Sequence, residues 1–349
     1  MLRILILALC LLGNAQADEL LGQKPFQYRL IKGWAQAALT ATPIKNGHAL
    51  AFDSQGRLFV LTDEPKNNIL ILDPKTGDLL GQWTARMPGA HGMSLVQEGA
   101  SEVLYITDTV LHEVRKLTLD GTELARYPWP EKSGLYSKAT EYRPSKTLHH
   151  PRGDFWVLDG YGKDYVHHYV HHYVHHYVHH YDATGQLLKS WGGDLGEGEN
   201  QLLHWGPHGG LLDLSDAASP RIIIAMSDRQ EIKRFTLEGQ FMDKFPFPGG
   251  NPRDLVAWQG HYLMPHLGDQ WPQNRDSPGF ISILDAQFRI VSNVGAPAAI
   301  FEKGVLQPLK SDARTFIHPH AVAADAEGNL YVAQFASPAA PLLKLQHVR

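Results

Sequence analysis

With 349 residues, 43% apolar and 19% charged, the chain is too hydrophobic for a disordered segment and too evenly mixed for a fibre. A formal net charge of −4 offers no basic field for nucleic acid or an anionic membrane. Histidine is abundant, at 20 residues, and eight of these fall in one stretch, YVHHYVHHYVHHYVHHY, from Tyr165 to Tyr181.

The chain opens with Arg3, an apolar run from Ile4 to Leu12, and the small residues of Ala15-Gln16-Ala17. This is the form of a signal peptide over residues 1–17, cleaved before Asp18. The run is too short to span a bilayer, and Leu9 stands before Cys10 where a lipoprotein needs a small residue. The expectation is a secreted or periplasmic protein without a membrane span. Cleavage removes the single cysteine, so residues 18–349 must be held by a core alone.

From there the sequence alternates short apolar strand patterns with turn signals, and a unit of about 45 residues recurs six times. The copies open at Gly47, Ala90, Pro144, Pro207, Pro252 and Pro319, with turns such as Asp120-Gly121 and Glu238-Gly239 between them. Six such units read as an all-β, six-bladed β-propeller. The sixth copy is short of residues after Leu342, so Phe26 to Trp34 is expected to supply its outermost strand and close the ring. The expected state is a monomer.

In a propeller, the start of each innermost strand shares one rim with the end of each second strand. The first set of positions reads His48, His91, Ser145, His208, Arg253 and His320. His91, His208 and His320 come from blades two, four and six, about 120° apart. Three imidazoles converging on a channel make an open site for zinc or another divalent transition metal. The competing reading is that histidine merely caps the strand here, and His48 shares the register.

The second set reads Asp63, Asp108, Asp159 and Asp228, whose recurrence points to turn capping. The residues just after them vary, and include Tyr161 and Arg229 on adjacent blades. A phenol beside a guanidinium and a dication ionises below its usual ~10, which would make Tyr161 a general base. The plainer alternative is a solvated rim tyrosine.

At these residues the sequence resembles a family. PHG, TDTVLHEV, GDFWVLDGYG, SDR and HPHA look like the NHL-repeat propeller of peptidylglycine α-amidating lyase and its bacterial relatives. The resemblance covers blades two to six. It implies cleavage of a peptidyl-α-hydroxyglycine into a peptide amide and glyoxylate. It also implies zinc on His91, His208 and His320, with Tyr161 and Arg229 as the catalytic pair. Two positions depart from it. Leu61-Thr62-Asp63-Glu64 lacks the family's blade-one arginine, and Ala321 replaces an aspartate that helps bind calcium, so no calcium is carried over. Two classes therefore stay open: an enzyme acting on a small-molecule or peptide substrate, and a non-catalytic propeller that binds a ligand or protein. A propeller lactonase ranks last, because the first-strand ring carries no carboxylate.

The YVHH units form an insertion at about 165–180 in blade three. Ser145 and His208 lie 63 positions apart, against 45 between His208 and Arg253, which fits three extra copies added by repeat slippage. A single strand through the tract would run roughly 55 Å, far longer than a blade. Its two readings are a metal-scavenging tract and a tolerated expansion that binds nickel, copper or zinc adventitiously.

Overall fold

The computed structural model describes residues 20–162, 175–200, 202–203, 206–268, 271, 273–311 and 315–349. Six antiparallel sheets form the blades of a six-bladed β-propeller. Blade one comprises Gly47–Phe52, Leu58–Thr62, Ile69–Leu72 and Leu79–Trp83, and blades two and four repeat this order from Ala90 and Pro207. Blade three runs Lys146–His149, Phe155–Leu158, His175–Tyr181 and Leu187–Gly192. Blade five starts with a short inner strand, Val256–Trp258.

The ring closes as its sequence anticipates. Gln27–Leu30 pairs antiparallel with Leu342–Val348, Gln27 facing Val348, and so becomes the outer strand of blade six. First and last parts of the chain thus complete one sheet, and the inner strand Pro319–Ala324 is not left beside an open edge.

Burial follows position in the blade. Second strands such as Leu58–Thr62, Phe155–Leu158 and Leu330–Gln334 are buried at every residue, because both faces are covered by neighbouring blades. Outer strands such as Phe241–Pro246 alternate between half-buried and exposed residues. The core is accordingly a set of wedges between blades: Phe59 and Leu61 pack with Leu104 and Ile106, and Trp156 and Leu158 with Ile222 and Ile224. Recurrent Asp-turns join the strands. Asp53 Oδ1 accepts the amides of Gln55 and Arg57 while Gly56 takes φ +76°, a conformation that favours glycine.

The last YVHH copy is built into blade three. His175–Tyr181 pairs with Phe155–Leu158 on one side and Leu187–Gly192 on the other, with Tyr177, Val178, His179 and Tyr181 buried. Most of the earlier copies, like the expected leader, lie outside the described residues. No helix among the described residues is long and apolar enough to cross a membrane.

Candidate metal centre at the channel mouth

Each histidine of the rim sits at an irregularity in its strand. In the innermost strands of blades one, two, four and six, the pairing register skips between Gly47 and Ala49, Ala90 and Met93, Pro207 and Gly209, and Pro319 and Ala321. The skipped residues include His48, His91, His208 and His320. A bulge bends the strand and re-aims its unpaired side chain, here toward the axis. Blade three, with Ser145 at this position, keeps a regular register.

The four rings meet. Centroids of His91 and His208 lie 4.8 Å apart, and His320 is 4.9 Å from each of His48, His91 and His208. All four are buried. Ligand atoms of His48, His91 and His320 fall within 4.8 Å of one another, close enough to hold a metal ion. His208 packs against the other side of the His91–His320 pair. The rings of the three histidines read from the repeat do meet, but the group close enough to hold an ion has His48, which sequence reasoning had set beside the strand-capping alternative, in place of His208.

Three of the rings are held by one repeated contact. Nδ1 of His91 lies 2.9 Å from the Ser145 carbonyl, that of His208 2.6 Å from Arg253 and that of His320 2.8 Å from His48. Each contact reaches the equivalent position of the next blade. A carbonyl can only accept, so Nδ1 carries the proton and Nε2 of each neutral ring keeps a lone pair that can accept a hydrogen bond or hold a metal. Gly92 and Gly209 allow this approach, since a Cβ on either would collide with the same carbonyl. His48 is turned the other way. Its Nε2 donates to Asp63 Oδ2 at 3.3 Å, and Asp63 also accepts from Asn46 at 2.7 Å. Burial would raise the Asp63 carboxyl, but these two partners hold it below the ordinary carboxylate range.

Such a donor set suits a divalent transition ion. Nε2 of His208 and Nδ1 of His48 are buried with no hydrogen-bond partner among the described residues, and buried polar atoms are rarely left so. Burial, aided by nearby positive charge from His48 and Arg253, pushes His91 down to about 3. Burial with Arg253 and the neighbouring rings takes His208 and His320 well below the usual histidine value. Neutral imidazoles at ordinary pH are what a metal requires.

Above the ring is a cavity of about 390 Å³, lined among others by Asp63, Thr109, Arg143, Tyr161, Arg253, Trp271 and Phe335. The Tyr161 hydroxyl lies 3.1 Å from His91 Nε2; with Nδ1 already protonated, the phenol donates and the imidazole accepts. Arg229 is placed differently. It is 48% exposed, its Nε lies 3.8 Å from Glu231 Oε1, and it does not line the cavity. Arg253 does line it. The two were not separable by sequence, since both stand on one rim and only the side-chain direction distinguishes them.

The recurrent aspartates behave unequally. Asp108 caps as expected, accepting from the amides of Val110, Leu111 and Gly89. Asp159 instead ties neighbouring segments together, accepting from the Arg143 amide and the Tyr136 hydroxyl.

Solved structures share this architecture. A streptogramin B lyase superposes with a TM-score of 0.56 over 88% of this chain and 95% of its own, at 13% identity. Virginiamycin B lyase from Staphylococcus aureus gives 0.50 over 87% and 96%, at 11% identity. A luciferin-regenerating enzyme gives 0.51 over 88% and 92%, at 12% identity. At these identities the likeness is one of fold, a six-bladed propeller that includes lyases among its members. No protein-family model matches the chain, and no curated protein matches it in sequence. The amidating-lyase resemblance rests on the sequence motifs.

Proposed function

We propose that this chain is an extracytoplasmic metal-dependent lyase that breaks the C–N bond of a hydroxylated amide of the peptidyl-α-hydroxyglycine type. One observation carries the reading: three imidazoles from alternate blades, each locked through Nδ1, keep their Nε2 atoms as acceptors beside a cavity lined by His91, His320 and Tyr161. His91, His208 and His320 would hold zinc or a similar ion, with His48 alongside. When bound, that ion supplies Lewis acidity at a substrate hydroxyl or carbonyl oxygen.

The chain's own groups account for the remaining steps. Tyr161, once the proton it gives to His91 in the metal-free protein has been lost on metal binding, would stand as phenolate beside the Arg253 guanidinium and take the proton from the substrate hydroxyl. The hydroxyl oxygen then forms the new C=O, the C–N electron pair leaves on nitrogen, and that nitrogen is protonated to give the amide. A guanidinium holds the substrate carboxylate through paired N–H donors. The buried ring and the Trp271 and Phe335 walls limit water around the reacting carbon. The leader pattern at residues 1–17 supports action outside the cytoplasm, which detection of the cleaved protein in a cell envelope or medium fraction tests.

A second reading, a binding propeller without chemistry, draws on the blade-one rim. Asp63, not an arginine, faces the cavity there and is engaged by His48. The two readings separate on glyoxylate release from an α-hydroxyglycine peptide. The lyase reading expects release that Tyr161→Phe abolishes. Metal-loaded protein that gives no release supports the binding module and ends the lyase proposal.

A further inference from the structure

Arg253 is a buried cation that forms no ion pair among the described residues. It is 4% exposed, and its Nε is buried with no hydrogen-bond partner among the described residues. No carboxylate of the described residues forms an ion pair with it, although Tyr161 and Asp228 stand near enough to favour its charge. The backbone beneath it is fixed at both ends. Its amide donates to the Pro265 carbonyl at 2.9 Å, and its own carbonyl accepts the His208 Nδ1 proton. The backbone that carries the guanidinium is therefore held by the same contact that orients a ring histidine.

An unpaired buried charge is costly and is kept where something outside the chain completes it. What completes a guanidinium is a planar anion, since its forked N–H donors match two carboxylate oxygens. Neutral imidazoles cannot serve, and a metal ion on the ring would deepen the local excess of positive charge. Among the described residues, the one carboxylate lining the cavity, Asp63, is turned to His48 and Asn46 in blade one.

We infer that Arg253 is the carboxylate-binding residue of this cavity, and that its ligand is a small carboxylate bearing an oxygen on the adjacent carbon, the carboxylate on Arg253 and that oxygen toward the ring. Resting on the lyase reading, this assigns the clamp to blade five and not to Arg229, and it names the terminal α-hydroxy acid as the part recognised. Arg143, the other guanidinium of the lining, is half-buried.

The test compares glycolate with glycolamide, which differ in charge but scarcely in shape, by calorimetric titration of the full chain stripped of metal with a chelator. The wild type is expected to prefer glycolate by at least tenfold. Arg253→Gln is expected to reduce that preference below twofold, while Arg229→Gln and Arg143→Gln keep it. Preference surviving in Arg253→Gln, lost in either other variant, or absent from the wild type overturns the assignment. Should Arg253→Gln fail to fold, Arg253→Lys keeps the charge without the fork: a preference weakened at least threefold supports the assignment, and an unchanged one overturns it. Glyoxylate release is scored separately. Release without the Arg253-dependent preference sinks the clamp alone, and the preference without release sinks the lyase alone.

Discussion

Two groups of histidines in this propeller have opposite surroundings. At the channel mouth, His91, His208 and His320 each spend Nδ1 on a carbonyl and meet ring to ring, with His91 and His320 lining a cavity. In the YVHH strand, His179 has both nitrogens engaged within blade three. The Tyr136 hydroxyl donates to Asp159, so it accepts from His179 Nε2, and Nδ1 accepts from Ser190. His180 stacks on Trp156 with ring centroids 4.2 Å apart. Both groups are buried, or nearly so, and rich in imidazole. What distinguishes the two groups is where the rings gather: those of the rim meet one another beside a cavity, whereas His179 is tied to side chains within the packed blade.

The sharpest way to break this comparison is to remove one histidine from each group in a variant lacking three of the four YVHH units. His208→Ala should take metal content from about one ion per chain to near zero, because an open site with three protein ligands loses one outright. His179→Gln should leave metal content unchanged while lowering stability by about 1–3 kcal/mol, the cost of disturbed buried hydrogen bonds. Elemental analysis and urea unfolding on both proteins read the two effects. Equal metal loss in both would erase the distinction.

Tyr161→Phe comes next. The substitution removes the hydroxyl 3.1 Å from His91 and nothing else. If that oxygen is the base, activity on an α-hydroxyglycine substrate falls by about 10²- to 10⁴-fold with metal retained. A fall of less than fivefold would return Tyr161 to a rim tyrosine.

How far these assignments could be read beforehand depends on what a repeat encodes. Equivalent positions in six copies specify which strands are inner and which rim their ends share, so the blade count, the closing strand near Phe26 and the meeting of His91 with His208 and His320 follow from register. Three things lie outside that logic. The bulges that aim the histidines are departures from register. The carbonyl locks run between blades, from His91 to Ser145 and from His208 to Arg253, so neither partner is legible within its own copy. The direction of a long side chain is set by local packing, which buries Arg253 and leaves Arg229 half exposed. His48 shows the same limit: its register was plain, but its partnership with Asp63 was not.

The locks themselves offer a third and smaller perturbation. Gly92→Ala would drive the Ser145 carbonyl away from His91 Nδ1 without touching any ligand. Loss of an outer contact of this kind weakens metal binding about 10–100-fold. Competition against a chelator of known affinity measures it. A change smaller than threefold would mean that the ring is oriented by packing alone.

The smallest effect concerns pH, and it tests the core group by itself. His179 and His266 are fully buried, and burial pushes both down to about 3. Each makes its hydrogen bonds as a neutral ring. His266 Nδ1 accepts the Asn251 amide, leaving Nε2 to donate to Ser282, and protonation would abolish the first bond. With folded values below the ordinary ~6.5, protons bind the unfolded chain more readily. Stability from these residues is therefore complete above about pH 6.5 and is lost as pH falls from there toward 3. At pH 5 each should cost about 2 kcal/mol relative to neutrality. His266→Gln should flatten the fall in unfolding free energy between pH 7 and pH 5 by about that amount, whatever it does to stability at pH 7. Tyr161→Phe, which titrates no core histidine, should leave the slope as it is. A slope that His266→Gln does not alter would mean that this ring protonates in the folded state as readily as in the unfolded one, contrary to its sealed position between Asn251 and Ser282.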